Sequence, residues 1–233
     1  MKDKVIVITG ASRGIGQSMA LTLARAGAQI VAVARSEDGL AETQSLIKSE
    51  GGQCHTVSAD LSSFDAVSEL IASTRSDFGR VDVLINNAGA APVLNMQDCD
   101  VVVFDRMMAI NCHAVFYACR AVWPIFIEQG GGRIVNISSV AAVDPFRGFQ
   151  AYGASKAWVS TFTKALAEEG REHGILVYAV APGAVDTRML RDNFPDFPAD
   201  QCLPPSEIAS AVEWILDQRS RHASGSIVYV RMS

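Results

Sequence analysis

The sequence predicts an α/β fold, in which one mainly parallel sheet of seven strands is covered by helices on both faces. Two observations carry this prediction. Short apolar runs alternate with longer, helix-forming stretches along nearly the whole chain, and parallel strands require such crossovers. The chain has 233 residues, of which 49% are hydrophobic, and shows no linker, repeat or low-complexity segment. This size suits one large core, so we expect a doubly wound sheet in a single domain over residues 1–233.

The first half of the chain contains four predicted strands and three predicted helices. Residues 4–9 form a continuous β-branched run that is apolar on both faces, as buried parallel strands are. The next helix ends at Gly27, because glycine readily adopts the left-handed conformation that closes helices. The predicted strands span residues 4–9, 30–34, 54–59 and 81–85, and the predicted helices span residues 17–26, 38–50 and 64–78.

The second half continues the alternation with three more helices. The last one begins at Ser206, a residue type favoured as an N-cap, after two prolines that suit a helix start. In the first two, apolar residues occupy more than one side, which favours packing on a partner subunit over deep burial alone. We therefore expect a homodimer or homotetramer. The predicted helices span residues 100–123, 152–172 and 206–218, and the predicted strands span residues 133–137, 176–181 and 227–230.

Composition and charge exclude several classes of function. A net charge of -5 and the lack of any Lys/Arg run argue against a nucleic-acid partner. The charged N-terminus leads directly into a strand, and no apolar run approaches the roughly 18 residues of a membrane span. We therefore expect a soluble, cytoplasmic protein. Five cysteines without a CxxC motif and four scattered histidines predict no disulfide and no metal site.

A glycine-rich turn, residues 9–16 with the sequence TGASRGIG, connects the first predicted strand to the first helix. Gly10 permits a tight turn, and Gly14 and Gly16 let a pyrophosphate approach the helix N-terminus. There the free N–H groups and the helix dipole favour an anion. A glycine triplet by itself is also common in purely structural turns.

Tyr152 and Lys156 lie four positions apart, which places both side chains on one face of a helix. A phenol beside an ammonium group is a proton donor whose anion is stabilised. We expect the ammonium to lower the pKa of the phenol. Tyrosine and lysine also occur at this spacing by chance, so the pair needs support from the rest of the chain.

The spacing G-x3-G-x-G together with Tyr152-x3-Lys156 resembles the classical short-chain dehydrogenases/reductases, and particularly 3-oxoacyl-acyl-carrier-protein reductases. The resemblance covers nearly the whole chain, because further motifs occur in the family's order. It implies a Rossmann-type domain, a nicotinamide cofactor and a small carbonyl or alcohol substrate. The further motifs are Asp60-Leu61, Asn86-Asn87-Ala88-Gly89, Ser139 thirteen positions before Tyr152, and Pro182-Gly183 followed by Thr187.

The resemblance also implies the roles of individual residues. Tyr152 would act as general acid, and Lys156 would stabilise its phenolate and hold the nicotinamide ribose hydroxyls. Ser139 would orient the substrate oxygen, and Asn111 would support a water chain that resupplies the proton. The residues implied for cofactor binding are Gly10, Ser12, Arg13, Gly14, Ile15, Gly16, Arg35, Ser36, Asp60, Leu61, Asn87, Ala88, Gly89, Tyr152, Lys156, Pro182, Gly183, Val185 and Thr187.

The end of the second predicted strand decides between the two nicotinamide dinucleotides. An acid there accepts a hydrogen bond from a ribose 2′-hydroxyl, whereas an arginine binds a 2′-phosphate. Ala34 occupies the position of the family's NAD-selecting aspartate, Arg35 follows it, and Arg13 lies inside the glycine turn. We expect NADP(H) to be preferred over NAD(H), the alternative being that both arginines are solvated surface charges.

Substrate recognition is expected in two segments, residues 140–149 and residues 188–203, the second as a lid over the nicotinamide. Phe146 and Phe149 suggest a partly apolar pocket. The leading interpretation is an NADP(H)-dependent carbonyl reductase or alcohol dehydrogenase. Two alternatives stay open, an NAD-dependent sugar or polyol dehydrogenase and a cofactor-sensing protein without catalysis.

Overall fold

A computed structural model describes residues 1–217 and 223–232 of the chain. Seven strands and eight α-helices alternate in these residues. The strands are β1 (Val5–Thr9), β2 (Gln29–Ala34), β3 (Gln53–Ser58), β4 (Val83–Asn86), β5 (Gly132–Ile137), β6 (Ile175–Pro182) and β7 (Ile227–Val230). The helices are α1 (Gly14–Arg25), α2 (Glu37–Ser49), α3 (Phe64–Phe78), α4 (Val101–Met108), α5 (Ala114–Gln129), α6 (Gln150–Gly170), α7 (Arg188–Asn193) and α8 (Pro205–Ile215).

The seven strands form one sheet in the order β3-β2-β1-β4-β5-β6-β7, and every neighbouring pair is parallel. The predicted α/β fold with a doubly wound parallel sheet is therefore confirmed. The order reverses between β1 and β4, because the chain first builds outward to β3 and then returns to the other side of β1. In such sheets a crevice opens at this reversal, outside the carboxyl ends of the strands.

Two hydrophobic layers cover the two faces of the sheet. Side chains alternate between the faces along each strand, so Ile6 and Ile8 of β1 join one layer, and Val5 and Val7 join the other. Helices α1, α2 and α8 pack in the first layer, and α3, α5 and α6 pack in the second. Because both faces are covered, the central strands are mostly apolar, and the buried Asn86 and Asn136 of β4 and β5 hydrogen-bond to each other at 2.9 Å.

The long helix predicted for residues 100–123 differs most from the structure. A π turn, Ala109–His113, separates α4 from α5, and α5 continues through Pro124 to Gln129. The prediction stopped before Pro124 because proline removes a helical hydrogen bond. Tertiary packing outweighs that loss, and the helix ends instead at Gly130, with φ 73°. Helix α7 was not predicted as a helix, and the predicted end of the last helix, Gln218, lies outside the described residues.

The helical stretch Val101–Gln129 is long and apolar enough to cross a membrane when judged by length and composition alone, with a hydropathy of 1.3. The sequence-based expectation counted only uninterrupted apolar runs and did not find this stretch. In the structure 44% of its most apolar window is buried inside the protein. Core helices of soluble proteins pass the same test, and the contacts of α5 with α3 and the sheet explain its apolar composition.

Candidate active site

The catalytic candidates meet at the carboxyl edge of the sheet, next to the end of β5. Helix α6 carries Tyr152 and Lys156 on one face, and the Lys156 Nζ lies 5.9 Å from the centre of the Tyr152 ring. Lys156 is only 5% exposed, and its Nζ donates a hydrogen bond of 2.8 Å to the Ile137 carbonyl oxygen. The ammonium group is therefore fixed by the last residue of β5.

Burial changes the pKa of both members of this pair. It lowers the pKa of Lys156 to about 8, and the nearby Cys112 thiol opposes this shift. Burial raises the pKa of Tyr152, and a polar interaction with the Ser139 side chain opposes this in part. The expectation that the phenol has a lowered pKa is therefore wrong for this structure, because the loss of water around the phenol outweighs the hydrogen bond with Ser139.

Ser139 directly follows β5 and caps a short 3-10 turn, Val140–Ala142. Its Oγ accepts a hydrogen bond of 3.1 Å from the Ala141 N–H, so its own hydrogen stays available for another acceptor. The neighbouring Ser138 was not assigned a role from the sequence. Its Oγ donates to the Lys156 carbonyl oxygen at 3.0 Å and lies 2.7 Å from the Ser160 Oγ, so it holds α6 against β5.

Asn111 lies in the π turn and is fully buried. Its Nδ2 donates to the Ala90 carbonyl oxygen at 2.9 Å and to the Ser155 Oγ at 3.0 Å, and its Oδ1 accepts from the Ala90 N–H at 2.8 Å. The amide thus connects the segment after β4 to helix α6. A π turn inserts one extra residue into a helix, and such turns frequently occur at functional sites.

Gly89 keeps space open between the asparagine and the lysine. A Cβ atom at this position would lie 3.2 Å from the Asn111 Oδ1 and 3.6 Å from the Lys156 Nζ. Both polar atoms therefore border the same small volume beside the backbone of residue 89. A side chain there would crowd the two groups, which explains why a glycine ends the Asn-Asn-Ala-Gly motif.

Two of the three glycines in the turn are required by close packing within the protein, independently of any ligand. A Cβ on Gly16 would lie 2.2 Å from the Gly10 carbonyl oxygen, and a Cβ on Gly10, with φ 67°, would lie 2.9 Å from the Ala88 Cα. These two glycines are needed by the turn itself. Gly14, with φ 57°, has more room, and its nearest neighbour would be the Thr187 Cγ2 at 3.3 Å.

Asn87 and Thr9 hold the glycine turn against the end of β4. The Asn87 Nδ2 donates to the carbonyl oxygens of Thr9 and Gly10 at 2.9 and 3.1 Å. The Thr9 Oγ1 accepts from the N–H groups of Asn87 and Ala88 at 2.9 and 3.1 Å. Thr9 was missed in the sequence, although a threonine at a strand end just before a glycine turn is a recognisable signal.

The residues around this turn fit the pyrophosphate of a dinucleotide. Arg13 precedes helix α1 as an extended N-cap residue whose side chain makes no capping hydrogen bond, whereas Ser36 and Ser63 cap α2 and α3. The first N–H groups of a helix have no partner within the helix. Those of Gly14, Ile15 and Gly16 are therefore left for a phosphate, which the helix dipole also favours.

The residues proposed to select the cofactor lie at the end of β2. Arg13 and Arg35 are both exposed, and Arg35 contributes to the lowered pKa of Asp60, which is held down mainly by hydrogen bonds from Ser62. Ser36, also assigned to the cofactor, uses its Oγ to cap α2 by accepting from the Gly39 N–H at 3.3 Å. Its hydroxyl hydrogen stays available to a ligand.

The remaining predicted cofactor residues fall into two groups. Leu61 and Val185 have buried side chains that belong to the two hydrophobic layers, so only their backbone atoms can reach a ligand. Pro182 and Gly183 end β6, where the Gly183 N–H donates to the Val230 carbonyl oxygen at 2.8 Å. Thr187 caps α7 by accepting from the Leu190 N–H, next to the glycine turn; Ser12 of that turn is half-buried.

Potential metal ligands do not cluster in the part of the chain that the structure describes. No group of three or more His, Cys, Asp or Glu side chains in residues 1–217 and 223–232 could hold a metal ion. All five cysteines are free thiols, and burial raises the pKa of Cys54, Cys112 and Cys119.

Known proteins resemble this chain over almost its whole length. The family described as short chain dehydrogenase matches residues 4–197. The 3beta-hydroxysteroid dehydrogenase 1 of Eggerthella lenta is 34% identical over 242 residues, covering 99% of this chain and 93% of that protein. A 3-ketoacyl-(acyl-carrier-protein) reductase from Brucella melitensis, complexed with NADH, is 31% identical with a TM-score of 0.91, covering 99% and 97% of the two chains. A variant of actinorhodin polyketide ketoreductase with NADPH is 29% identical with a TM-score of 0.93, covering 99% and 98%.

The sheet, the glycine turn and the set of polar residues beside β5 thus occur together in a chain that matches one family throughout. This protein belongs to the short-chain dehydrogenase/reductase family. It is an oxidoreductase of that family with a nicotinamide cofactor, as the resemblance in its sequence predicted.

Proposed function

We propose that this protein is an NADP(H)-dependent oxidoreductase that interconverts a carbonyl group and a secondary alcohol. The observation that carries the proposal is the meeting of a phenol, an ammonium and a hydroxyl group, from Tyr152, Lys156 and Ser139, at the carboxyl edge of the sheet. The uncapped start of α1 lies at the same edge. A proton donor and a dinucleotide cradle are therefore adjacent, as reduction of a carbonyl group requires.

Tyr152 is the general acid in the reduction direction. When bound, the nicotinamide supplies or accepts the hydride. The raised pKa of Tyr152 keeps the phenol protonated near neutral pH, ready to donate to the carbonyl oxygen. Ser139 orients that oxygen with its free hydroxyl hydrogen, because the Ser139 Oγ already accepts from the Ala141 N–H.

Lys156 stabilises the phenolate that forms when the proton leaves. With a pKa of about 8 its ammonium is charged below that pH and becomes neutral above it. The rate of reduction should therefore fall as the pH rises through about 8, since the phenolate then loses its stabilising charge. Asn111 acts as a positioning residue, because its amide groups are bound to Ala90 and Ser155. Its Oδ1 and the Lys156 Nζ border one volume, which suits a bridging water of the proposed proton relay.

Cofactor preference is proposed to follow from charge at the end of β2. Arg13 and Arg35 are exposed and flank the start of α2, and Ala34 leaves no acid to exclude a 2′-phosphate. Glu37 and Asp38 lie in the first turn of α2 and partly offset the positive charge. One solved relative carries NADPH and another carries NADH, so the family accepts both cofactors.

The test is a panel of ketones and alcohols with each cofactor, followed by nicotinamide absorbance. We expect kcat/KM to be at least about tenfold higher with NADPH than with NADH, and Arg35→Ala to reduce that ratio severalfold. A preference for NADH would favour the alternative, an NAD-dependent sugar or polyol dehydrogenase. Binding of cofactor without turnover of any compound would favour a cofactor-sensing protein.

Assembly and location are part of the same proposal. We expect the whole chain, residues 1–233, to act as one domain in a cytoplasmic homodimer or homotetramer. Trp158 and Phe162 stack at 4.6 Å on α6, and Phe116 of α5 lies 6.1 Å from Phe162 and is 45% exposed. This aromatic surface suits a subunit contact. Light scattering coupled to size-exclusion chromatography tests it, and a monomer at micromolar concentration would contradict it.

A further inference from the structure

Three phenylalanines from two distant segments form one aromatic cluster, and one of them, Phe149, contacts Tyr152. Phe149 lies 4.8 Å from the Tyr152 ring, and Phe146 lies 4.4 Å from Phe149. Phe194, which follows α7, lies 5.8 Å from both Phe146 and Phe149. We call these three residues, Phe146, Phe149 and Phe194, the aromatic wall. They join the two segments in which substrate recognition was expected from the sequence.

The aromatic wall extends from the protein interior to the solvent. Phe149 is 8% exposed and packs with Ala91 and Ala141, whereas Phe146 is 50% exposed. Phe146 exposes its ring beside Phe149, which contacts the partly buried Tyr152, and an exposed ring of this size is costly in water unless a ligand covers it. The wall therefore has the shape of a binding surface, anchored at one end and open at the other.

Hydrogen bonds hold both parts of the wall to the segment after β4. The Leu94 N–H donates to the Gly148 carbonyl oxygen at 3.0 Å, and the Gln150 Nε2 donates to the Leu94 carbonyl oxygen at 2.6 Å. On the side of α7, the Asn193 Nδ2 donates to the Ala91 carbonyl oxygen at 2.9 Å. These bonds preorganise the rings, so a substrate would bind to a formed surface.

The arginines of the two segments are engaged by protein groups. The Arg147 Nε donates to the Asn95 Oδ1 at 3.3 Å, and Arg188 pairs with Asp192 at 3.4 Å. Arg191 turns inward, where it pairs with Asp186 at 2.8 Å and donates to the Phe197 carbonyl oxygen. These described segments thus present apolar rings to a substrate while each of their arginines has a protein partner.

Building on the proposed function, we propose that the substrate is a bulky apolar ketone, or its secondary alcohol, whose ring system lies on the aromatic wall. The carbonyl group reaches Tyr152 and Ser139, while the ring covers Phe146 and Phe194. A small polar ketone would leave Phe146 in water, and an anionic keto acid would have to compete with Asn95, Asp192 and Asp186 for the arginines of the two segments. Burial of the ring is thus the main source of substrate discrimination.

The experiment compares three ketones with wild-type protein and saturating cofactor. Benzylacetone and butanone share a methyl ketone and differ by a phenyl group, and acetoacetate carries a charge. We expect kcat/KM for benzylacetone to exceed that for butanone by about 100-fold, from the apolar area that the ring buries. Acetoacetate should be no better than butanone.

Variants of Phe146 and Phe194 test whether the aromatic wall causes the preference for benzylacetone over butanone. Phe146→Ala should lower the ratio of kcat/KM for benzylacetone over butanone by about tenfold, and Phe194→Ala should act in the same direction. Phe146→Leu keeps an apolar side chain and should give an intermediate ratio, which guards against misfolding of the alanine variant. Trp214→Ala, which removes an exposed aromatic ring on α8, should leave the ratio unchanged.

The outcomes separate this inference from the proposed function. Equal or better turnover of butanone or acetoacetate would overturn the aromatic wall as a recognition surface and leave the carbonyl chemistry intact. Saturation-transfer NMR measures binding of benzylacetone independently of turnover. Binding that depends on Phe146, without turnover of any ketone or alcohol, would contradict the proposed function while supporting the wall. Binding that is equal in wild type and Phe146→Ala would overturn the wall.

Discussion

Asp82 and Lys156 are charged side chains at opposite edges of the sheet, and they differ in how many hydrogen-bond partners surround them. Asp82 precedes β4 at the amino edge, and its side chain is 9% exposed. It accepts hydrogen bonds from the Lys4 Nζ at 2.9 Å, the Val5 N–H at 3.0 Å and the Arg80 Nε at 2.7 Å. Lys156, at the carboxyl edge, donates to one backbone carbonyl oxygen and forms no ion pair within residues 1–217 and 223–232.

This difference separates a stabilising charge from a functional one. Burial acts to raise the pKa of Asp82, but the donors from Arg80, Val5 and Lys4 hold it below its usual range, so its charged form favours folding. Burial lowers the pKa of Lys156 to about 8 without a compensating acid, so its charged form opposes folding. The unfavourable charge lies where the proposed phenolate of Tyr152 would need it.

The largest expected effect is at the functional edge. Tyr152→Phe should reduce kcat by about 100- to 10,000-fold, because it removes the general acid and leaves the shape of the site. Binding of cofactor, measured by fluorescence titration, should change less than about threefold, since the glycine turn is untouched. Tyr229→Phe, on exposed β7, is the matched control. Near-normal activity of Tyr152→Phe would refute the assignment.

The next largest effect is the change in the free energy of unfolding when the Lys156 charge is removed. The shift from 10.5 to about 8 means that the Lys156 charge costs on the order of 3 kcal/mol at neutral pH. Lys156→Met should abolish turnover yet raise the free energy of unfolding by about 1–2 kcal/mol, because the unpaired Ile137 carbonyl oxygen offsets part of the gain. Urea denaturation at pH 7 measures this change, and a loss of stability above about 1 kcal/mol would contradict it.

The dependence of this stability on pH has a defined sign. Between the folded pKa of about 8 and the unfolded value of 10.5, the unfolded chain binds more protons at this site, so the contribution of Lys156 to the free energy of unfolding rises with pH. The same rise should be missing in Lys156→Met. Comparison of the two proteins at each pH cancels the contributions of titratable groups that do not interact with Lys156, whereas Cys112, which does, is replaced by alanine in both proteins.

The smallest effect is at the stabilising edge. Asp82→Asn should lower the free energy of unfolding by about 1–2 kcal/mol at pH 7 and leave kcat unchanged, because the site lies at the other end of the strands. The difference from wild type should persist above the unfolded pKa of about 3.9 and disappear as the pH falls through the lower folded pKa. Asp77→Asn, at an exposed position on α3, is the control. If Asp82→Asn also lowered kcat severalfold, the proposed separation between a stabilising charge at the amino edge and a functional charge at the carboxyl edge would be wrong.

Local patterns in the sequence were sufficient for the fold and for the proposed proton donor. Short strand-like stretches that alternate with helical ones predicted all seven strands of the sheet, and the four-residue spacing of Tyr152 and Lys156 placed both on one helical face. Both properties depend only on neighbouring residues. The location of the glycine turn at a strand end also follows from local sequence.

Other properties depend on contacts between distant residues and could not be predicted. The pKa of Tyr152 follows from how completely the fold removes water from it. The hydrogen bonds from Asn87 to the glycine turn join residues 77 and 78 positions apart. The convergence of Phe194 with Phe146 depends on where the chain places α7. None of these contacts leaves a periodic signal in the sequence.

The π turn at Ala109–His113 changes how the amphipathic pattern of its helix should be interpreted. One added residue rotates everything after it by roughly 100° about the helix axis. A helical wheel drawn through α4 and α5 as one straight helix therefore superimposes two apolar stripes with different phases, and shows a wider apolar surface than either half has. If a single residue were deleted there, the apolar residues of α4 and α5 would fall on one side of a regular helix. In the folded protein, one of the two helices would then turn its apolar side away from the core. Part of the apolar width of this helix is thus an effect of phase, and the proposed subunit contact depends on side chains at the surface of the structure, the exposed Phe116 of α5 and Trp158 of α6 together with the partly buried Phe162 of α6.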